Sequence, residues 1–553
     1  MTRNTEMHFS ETPQISLKRS KFEESFSHKT TFNTGKIIPI YCDPDILPGD
    51  TVQMDLASLI RMSTPIYPIM DNLYADVYFF FVPHRLTWDH WAQFWGESDS
   101  PWIQPTQYEI PQITSPTGGW TEGSIADYMG IPTKVAGLSV NALPFRAYAK
   151  CYNDWFRDEN LMNNCHIYTD ETTRTGTNGT NPVTDVELGG MPANASKMHD
   201  YFTSCLPSPQ KGPAVQLPLG SVAPVSTHVS DSIITDTPLK WRASSGTHAS
   251  IVPPTNDLYG IAIGIGGETE NRHPDMSEWI NSAGGPMAPS NLYAYLSSAT
   301  AATINQLRTA FAIQKYYENA GLHGTRYIEY IRGVFGVTSS DARLQRAEYL
   351  GGQRIPLNID QIIQTSSTDS TSPQGNTAGF SCTINKKSMF TKSFEEHGTL
   401  LGLVVVRTEH TYQQGLHKKW TRKKWTDFYN PFFANLGEQA VLNENIYAQG
   451  NTTDKQAFGY QEAWAEYRYK ENRVSGYMRS NATGSLDVWH LADDYNALPS
   501  LGSSWIQEPQ TNVDRVLAVS SSIAHQYLAD FYFKTYYTRP MPIYSVPGLI
   551  DHV

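Results

Sequence analysis

The sequence of 553 residues is poor in charged side chains and cysteine and contains no long apolar run. Charged residues make up 17% of the chain, against about 25% in ordinary globular domains. The cysteines are odd in number and none has C-x-x-C spacing, at Cys42, Cys151, Cys165, Cys205 and Cys382. This argues against a disulfide framework and a zinc knuckle, and it favours free thiols in a reducing cytoplasm.

The longest apolar runs, at 78–82 and 403–406, are far shorter than the roughly 20 residues of a membrane helix. We therefore expect no membrane insertion, and the polar start of the chain predicts no secretion signal. The sequence also lacks a nucleophile elbow, an HExxH motif and a phosphate-loop signature.

Three groups of residues could suggest chemistry, and each has a simpler interpretation. They are His84 with Asp89 and His90, the glycine-rich stretch 260–267, and His490 beside Asp493 and Asp494. We interpret them respectively as a loop-to-helix junction, a strand or hairpin, and a solvated loop. The sequence thus predicts no catalytic residue, no cofactor and no metal site.

Aromatic residues are abundant, at 12% of the chain. Few charges and many aromatics are typical of surfaces buried against partners, although a large core could also hold the rings. The net charge of −12 indicates that any nucleic-acid contact is local.

Strand patterns are spread over the whole chain. Residues 73–86 form an unbroken β-branched and aromatic run, which predicts a strand buried on both faces. Further strands are predicted over 327–411, with alternation around 400–412, and over the tail from 516, where 529–533 alternate. Helices are predicted at 88–96, 144–163 and 302–321, the last ending at Gly321. Together these patterns predict a mainly β sandwich with long insertions and a few short helices.

Seven stretches carry a family resemblance, in one order along the chain. They are STPIYPIMDNLYADVYFFFVPHRL (63–86), YNDWFRDENL (152–161), PSPQKGPAVQLPLG (207–220), ATINQLRTAFAIQK followed by HGTRYIEYI (302–331), DARLQRAEYLGG (341–352), NPFFANLGEQAV (430–441) and FGYQEAWAEYRYK (458–470). This set resembles the major capsid protein of gokushoviruses, a branch of the microviruses (Microviridae). Ala347 stands where we expect proline, 168–206 and 221–300 carry no family motif, and 417–425 is unusually basic.

The resemblance implies an eight-stranded viral jelly roll and a T=1 icosahedral shell of sixty subunits around a circular single-stranded DNA genome. It implies an N-terminal arm (1–25), a jelly-roll domain (26–211 and 301–553) and an inserted surface protrusion (212–300) that contacts a host receptor. Implied partners are an internal scaffolding protein, a small basic DNA-binding protein and a DNA pilot protein. The protein would assemble in the bacterial host cytoplasm and reside in the virion. A host jelly-roll enzyme or carbohydrate-binding protein is the alternative.

Two basic clusters are candidates for contact with single-stranded DNA, because cations neutralise phosphates and aromatic faces stack unpaired bases. The first comprises Lys418, Lys419, Trp420, Arg422, Lys423, Lys424 and Trp425, and the second comprises Lys18, Arg19 and Lys21. The alternatives are a subunit contact, in which lysine stems cover apolar neighbours, for the first cluster and a solvated tail for the second.

Overall fold

The computed structural model describes residues 18–97, 107–215, 225–227, 240–243, 248–250, 287–289, 292–294, 304–363, 365, 368, 374–375, 377–380 and 382–545. The chain divides into two compact units. The first comprises Met1–Lys211 with Glu318–Val553, and the second comprises Gly212–Tyr317.

Strands dominate the described residues. Up to residue 211 they are β1 (Ser20–Glu23), β2 (Phe26–Phe32), β3 (Ile38–Ile46), β4 (Thr51–Met62), β5 (Leu73–Pro83), β6 (Gln112–Thr114), β7 (Ser139–Asn141) and β8 (Arg174–Thr175). The second unit has β9 (Val225–Thr227), β10 (Lys240–Ala243), β11 (His248–Ser250), β12 (Met287–Pro289) and β13 (Leu292–Ala294). The rest are β14 (Glu348–Pro356), β15 (Gln361–Ile363), β16 (Thr377–Phe380), β17 (Thr383–Ser393), β18 (Gly398–Thr408), β19 (Thr411–Tyr412), β20 (Gln439–Leu442), β21 (Ala457–Gln461), β22 (Asn472–Arg473) and β23 (Tyr527–Arg539).

The α-helices are mostly single turns. They are α1 (Trp91–Phe94), α2 (Ile125–Tyr128), α3 (Leu143–Cys151), α4 (Ile304–His323), α5 (Tyr327–Tyr330), α6 (Asn443–Ile446), α7 (Ala465–Arg468) and α8 (Thr511–Val516). The protein is therefore mainly β with few helices, as its sequence predicts.

Two antiparallel sheets form the centre of the first unit. The five-stranded sheet has the order β1-β23-β4-β17, with β2 also paired to β23. The four-stranded sheet has the order β14-β5-β18-β3. A hydrophobic cluster lies between the sheets and draws residues from both, including Leu56, Phe79, Val404 and Phe531. The arrangement is that of a β-sandwich.

A second hydrophobic cluster covers the other face of the four-stranded sheet. It contains Phe80, Leu401 and Val405 from the strands and Phe145 and Tyr148 from α3. The four-stranded sheet is therefore buried on both faces, which explains the unbroken apolar sequence of β5. It also corrects the expected alternation in β18, where ten of the eleven residues are buried.

The second unit contains a three-stranded sheet of order β11-β10-β12 and the pair β13-β9. The predicted insertion at 212–300 and the predicted arm at 1–25 stay predictions. Residues 1–17 lie outside the described residues, whereas Ser20–Glu23 pairs with β23.

Several element boundaries differ from the sequence patterns. The predicted helix at 302–321 runs on to His323, so that Gly321 lies inside it and is buried rather than capping it. Residues 327–335, predicted as strand, are helical. Only Trp91–Phe94 of the predicted 88–96 is α-helical. Local patterns define such ends poorly because tertiary packing overrides weak propensities.

Candidate nucleic-acid and subunit-contact surfaces

Residues 417–436 form a surface segment that we call the aromatic platform. It folds as short 3-10 turns at Lys418–Trp420, Trp425–Asp427 and Pro431–Phe433. Polar side chains cap these turns, since the Asp427 carboxylate accepts from the backbone N–H groups of Lys423 and Lys424, both at 2.9 Å. Such local bonds hold a segment that contains neither an α-helix nor a strand.

A buried carboxylate fastens the platform to α7. Glu466 accepts a hydrogen bond from the Arg422 guanidinium at 2.8 Å and lies 4.0 Å from the Lys418 ammonium. The Arg422 guanidinium also stacks 4.6 Å from the centre of the Tyr467 ring, and burial lowers the pKa of Lys418. Two of the five predicted DNA-contact cations in this segment are therefore used to hold it in place.

Trp464, just before α7, supports the same platform in a strained conformation. Its backbone is left-handed, with φ of +68°, which is uncommon for a bulky residue. The indole Nε1 donates to the Phe433 carbonyl at 2.8 Å, and the Tyr429 ring packs edge-on against the indole. The surrounding contacts thus fix the platform in one arrangement.

The platform exposes large apolar side chains to solvent. Trp420 is 79% exposed, Trp425 71% and Phe432 93%, while Lys423 and Lys424 are exposed beside them. Exposed aromatic groups of this size mark a site of interaction. Trp420, Trp425 and the exposed Lys423 and Lys424 therefore lie together on one surface segment.

The N-terminal basic cluster lies against the fold. The Arg19 guanidinium donates to the Gly49 carbonyl, and the Lys21 ammonium lies 4.0 Å from the centre of the Tyr536 ring on β23. Lys18 is exposed. These contacts place Lys21 on the five-stranded sheet. Because Tyr536 is about 515 residues further along the chain, no local sequence pattern could predict this pairing.

A buried ion cluster corrects the interpretation of 490–494 as a solvated loop. Asp493 and His490 are buried. The His410 ring bonds Asp493 through Nδ1 at 2.9 Å and Glu508 through Nε2 at 3.0 Å. Lys197 approaches Asp493 at 3.4 Å. Only Asp494 is exposed.

Charge balance shifts the pKa values of this cluster. Burial alone lowers the pKa of His410, but the carboxylates of Asp493 and Glu508 outweigh it and raise that pKa to about 10. Burial raises the pKa of Asp493, but His410 and Lys197 overcome this and hold it well below its usual range. The cluster is thus an ion network that joins the end of β18, through Thr408 and Glu508, to the C-terminal segments.

The other chemical candidates do not converge. His84 Nε2 bonds the Pro44 carbonyl at 3.1 Å, Asp89 bonds Thr169 and His90 bonds Glu171. Among the described residues, no group of three or more His, Cys, Asp or Glu could hold a metal ion. The stretch 260–267 lies outside the described residues. No described helix has the length and apolar character to span a bilayer.

Comparisons with known proteins cover nearly the whole chain. Residues 10–549 match the family model described as Capsid protein (F protein). Capsid protein VP1 of Spiroplasma virus 4 is 45% identical over 541 residues, 96% of each chain. Capsid protein VP1 of Bdellovibrio phage phiMH2K is 44% identical over 550 residues, 99% of this chain and 98% of its own. Capsid protein VP1 of Chlamydia phage 1 is 38% identical over 594 residues, 98% and 97%.

These matches and the β-sandwich define the class as phage coat proteins. The chain belongs to the Capsid protein (F protein) family, as a major capsid protein of the gokushovirus type within the microviruses. It is a capsid-forming subunit of the virion, and its relatives carry the names of structural proteins rather than enzymes.

Proposed function

We propose that the subunit is an eight-stranded viral jelly roll and that sixty copies close a T=1 icosahedral shell around circular single-stranded DNA. The nested strand pairing carries the fold proposal. In chain order β2, β3, β4, β5, β14, β17, β18 and β23, the first pairs with the last, β3 with β18, β4 with β17 and β5 with β14. Such nesting is what a hairpin rolled into two sheets produces.

Particle mass and shape test the shell directly. The full chain, expressed alone and with an internal scaffolding protein, is measured by electron microscopy and light scattering. We expect uniform icosahedral particles with the mass of sixty subunits. A discrete small oligomer that stays small in the presence of the scaffolding protein would refute the shell and favour the enzyme or carbohydrate-binding alternative.

The exposed Phe432 ring favours subunit contact as a function of the aromatic platform. This ring is almost fully exposed, and its backbone N–H donates to the Asn430 side-chain oxygen at 3.1 Å. An exposed aromatic ring on an anchored backbone is suited to burial against a partner. We expect Phe432→Ser to reduce particle yield while the unassembled chain remains folded, as judged by circular dichroism; Thr426→Ser, also on the platform, is the control.

We propose contact with single-stranded DNA as a second function of the aromatic platform. The exposure of its cations limits which of them could make this contact. Arg422 and Lys418 face Glu466, and the Lys419 ammonium lies 4.7 Å from the centre of the Tyr467 ring. Lys423 and Lys424, both exposed, are therefore the cations that we propose contact DNA. The double variant Lys423→Gln/Lys424→Gln should form particles that retain less DNA at high salt, because phosphate contacts weaken as salt rises. Equal DNA retention by the variant and by a Lys470→Gln control would rule out this use.

Host attachment is proposed for the insertion at 212–300, since exposed loops on a rigid scaffold carry recognition. Deleting about 225–290 should leave particles that assemble but no longer adsorb to the host. Adsorption at the wild-type rate by intact deletion particles would contradict the assignment.

The charge of the coat supports the remaining partners. Because each subunit carries −12, the shell as a whole cannot neutralise the genome. We propose that a small basic DNA-binding protein supplies the missing charge, that a DNA pilot protein accompanies the genome, and that assembly takes place in the bacterial cytoplasm. Particles purified from infected cells should contain a small basic protein, detectable by mass spectrometry.

A further inference from the structure

In the part of the chain that the structure describes, one face of the five-stranded sheet has no hydrophobic cluster against it, and we call this the outer sheet face. It consists of the residues of β1, β2, β4, β17 and β23 that point away from the sandwich core. On β23 these alternate with core residues, so that Leu528, Tyr532 and Tyr536 point outward while Phe531 and Phe533 point inward. Neither hydrophobic cluster of the described residues includes a side chain from this face.

Charge on the outer sheet face is opposite in sign to that of the chain. The strand register places the cations Lys21, Lys29, Arg61, Lys386 and Lys534 on this face. The same register places three acids there, namely Glu23, Asp55 and Asp530. The chain overall has 42 cations against 54 acids. A cationic sheet face on an acidic protein is complementary to a polyanion.

Aromatic rings lie among these cations. The Tyr536 ring has the Lys21 ammonium 4.0 Å and the Lys534 ammonium 5.4 Å from its centre. Tyr532 lies four residues earlier on the same side of β23, roughly 14 Å away along an antiparallel strand, and is 45% exposed. Rings for stacking beside cations for phosphates are the chemistry of sequence-tolerant binding to unpaired nucleic acid.

One end of the face opens into a hollow of about 600 Å³. Lys29, Arg61, His525 and Leu528 contribute to its walls, and so do the acids Glu122, Asp127 and Asp530. The volume is within the range of small-ligand pockets, about 300–1,000 Å³. Because acids outnumber the lysine and arginine side chains in its walls, the hollow does not suit a phosphate, and the proposed contact lies on the strands between Tyr532 and Tyr536.

We infer that the outer sheet face binds the unpaired DNA backbone and that this sheet faces the genome in the shell. The inference rests on the proposed function of enclosing single-stranded DNA. It goes beyond that function by assigning the contact to Tyr532, Tyr536 and the cations around them, on a surface distinct from the aromatic platform. The N-terminal cation Lys21 becomes one edge of this surface.

Ultraviolet crosslinking of genome-filled particles, followed by peptide mass spectrometry, tests the assignment on the unaltered protein. Nucleotide adducts are expected on peptides that contain Tyr532 or Tyr536. Adducts confined to other surfaces, or protein–protein crosslinks through this face, would overturn it. Absence of particles would instead refute the proposed shell, so the two failures are distinguishable.

Binding of oligodeoxythymidine to the unassembled full chain gives a second readout. The variant Lys21→Gln/Arg61→Gln/Lys534→Gln should lower the slope of log affinity against log salt by about 2, roughly 0.7 for each lost contact to a single strand. Tyr536→Leu should weaken binding about tenfold through lost stacking. The control replaces three exposed cations elsewhere, Arg343, Lys455 and Lys470, with glutamine. Equal slopes for the test and control variants would overturn the inference.

Discussion

The two sheets of the sandwich differ in how many of their faces are covered. The four-stranded sheet packs against the other sheet on one side and against α3 and its neighbours on the other, whereas the described residues cover the five-stranded sheet on one side. Their sequences differ accordingly: β18 is apolar at consecutive positions, and β23 alternates. The outer sheet face carries charged side chains and aromatic rings. We infer from this that the four-stranded sheet mainly stabilises the fold, whereas the five-stranded sheet mainly contacts a partner.

Alanine substitutions at neighbouring strand positions test this contrast between the two sheets. They are expected to give the largest changes in the free energy of unfolding. Leu400 and Leu401 belong to opposite clusters, so each change to Ala should lower the free energy of unfolding by about 2–5 kcal/mol. On β23, Phe531→Ala should cost about 3–5 kcal/mol, but Tyr532→Ala at most about 1 kcal/mol. Urea denaturation of the unassembled chain measures all four. A large loss at Tyr532 would mean that the outer sheet face is covered.

The buried ion cluster at the end of the covered sheet gives the next largest effect. Replacing His410 by Gln leaves Asp493 and Glu508 without their shared cation, and removing one partner from a buried pair costs about 3–5 kcal/mol. Because folding raises the pKa of His410 to about 10, its contribution is fully present below about pH 6.5 and is lost as pH rises through about 10.

The stability difference between wild type and His410→Gln should therefore be largest near pH 6 and shrink toward pH 10, as measured by denaturation at several pH values. His90→Gln, which alters the half-exposed pair with Glu171, is the matched control and should change stability by at most about 1 kcal/mol. A difference that grows with rising pH would show that His410 is neutral in the folded protein.

The aromatic platform also contains one buried and one exposed cation that can be compared. Arg422 is nearly buried against Glu466, so Arg422→Ala should reduce stability by about 1.5–3 kcal/mol, the value of a hydrogen bond to a charged group. Lys423→Ala, one residue along and exposed, should change stability by less than about 0.5 kcal/mol. Tryptophan fluorescence during urea titration follows both. Equal effects would indicate that Glu466 does not hold the platform.

Sequence patterns predicted strands in which the order of apolar and polar residues directly reflects which faces are buried. The run at 73–86 predicted β5, and the alternation at 529–533 predicted part of β23, because strand period reports which faces are covered. Composition drew attention to the basic cluster at 417–425, but it could not show which of these cations are held by Glu466 and which are exposed. Glu466 is 44 residues from Arg422, and Asp493 is 83 from His410, so no local pattern could join them.

A variant with a small expected change in stability separates the structural role of the open sheet from its proposed role in DNA binding. Lys29 pairs with Asp530 at 3.4 Å with both side chains exposed, and such surface pairs contribute about 0–1 kcal/mol. Lys29→Ala should therefore unfold at nearly the wild-type urea concentration, yet lower the salt slope of oligodeoxythymidine binding by about 0.7. An unchanged slope with reduced stability would reverse the assignment, since Lys29 would then hold the sheet together rather than bind phosphate. Asp530→Asn is the matched change: by freeing Lys29 from its carboxylate, it should strengthen binding while leaving the urea midpoint in place.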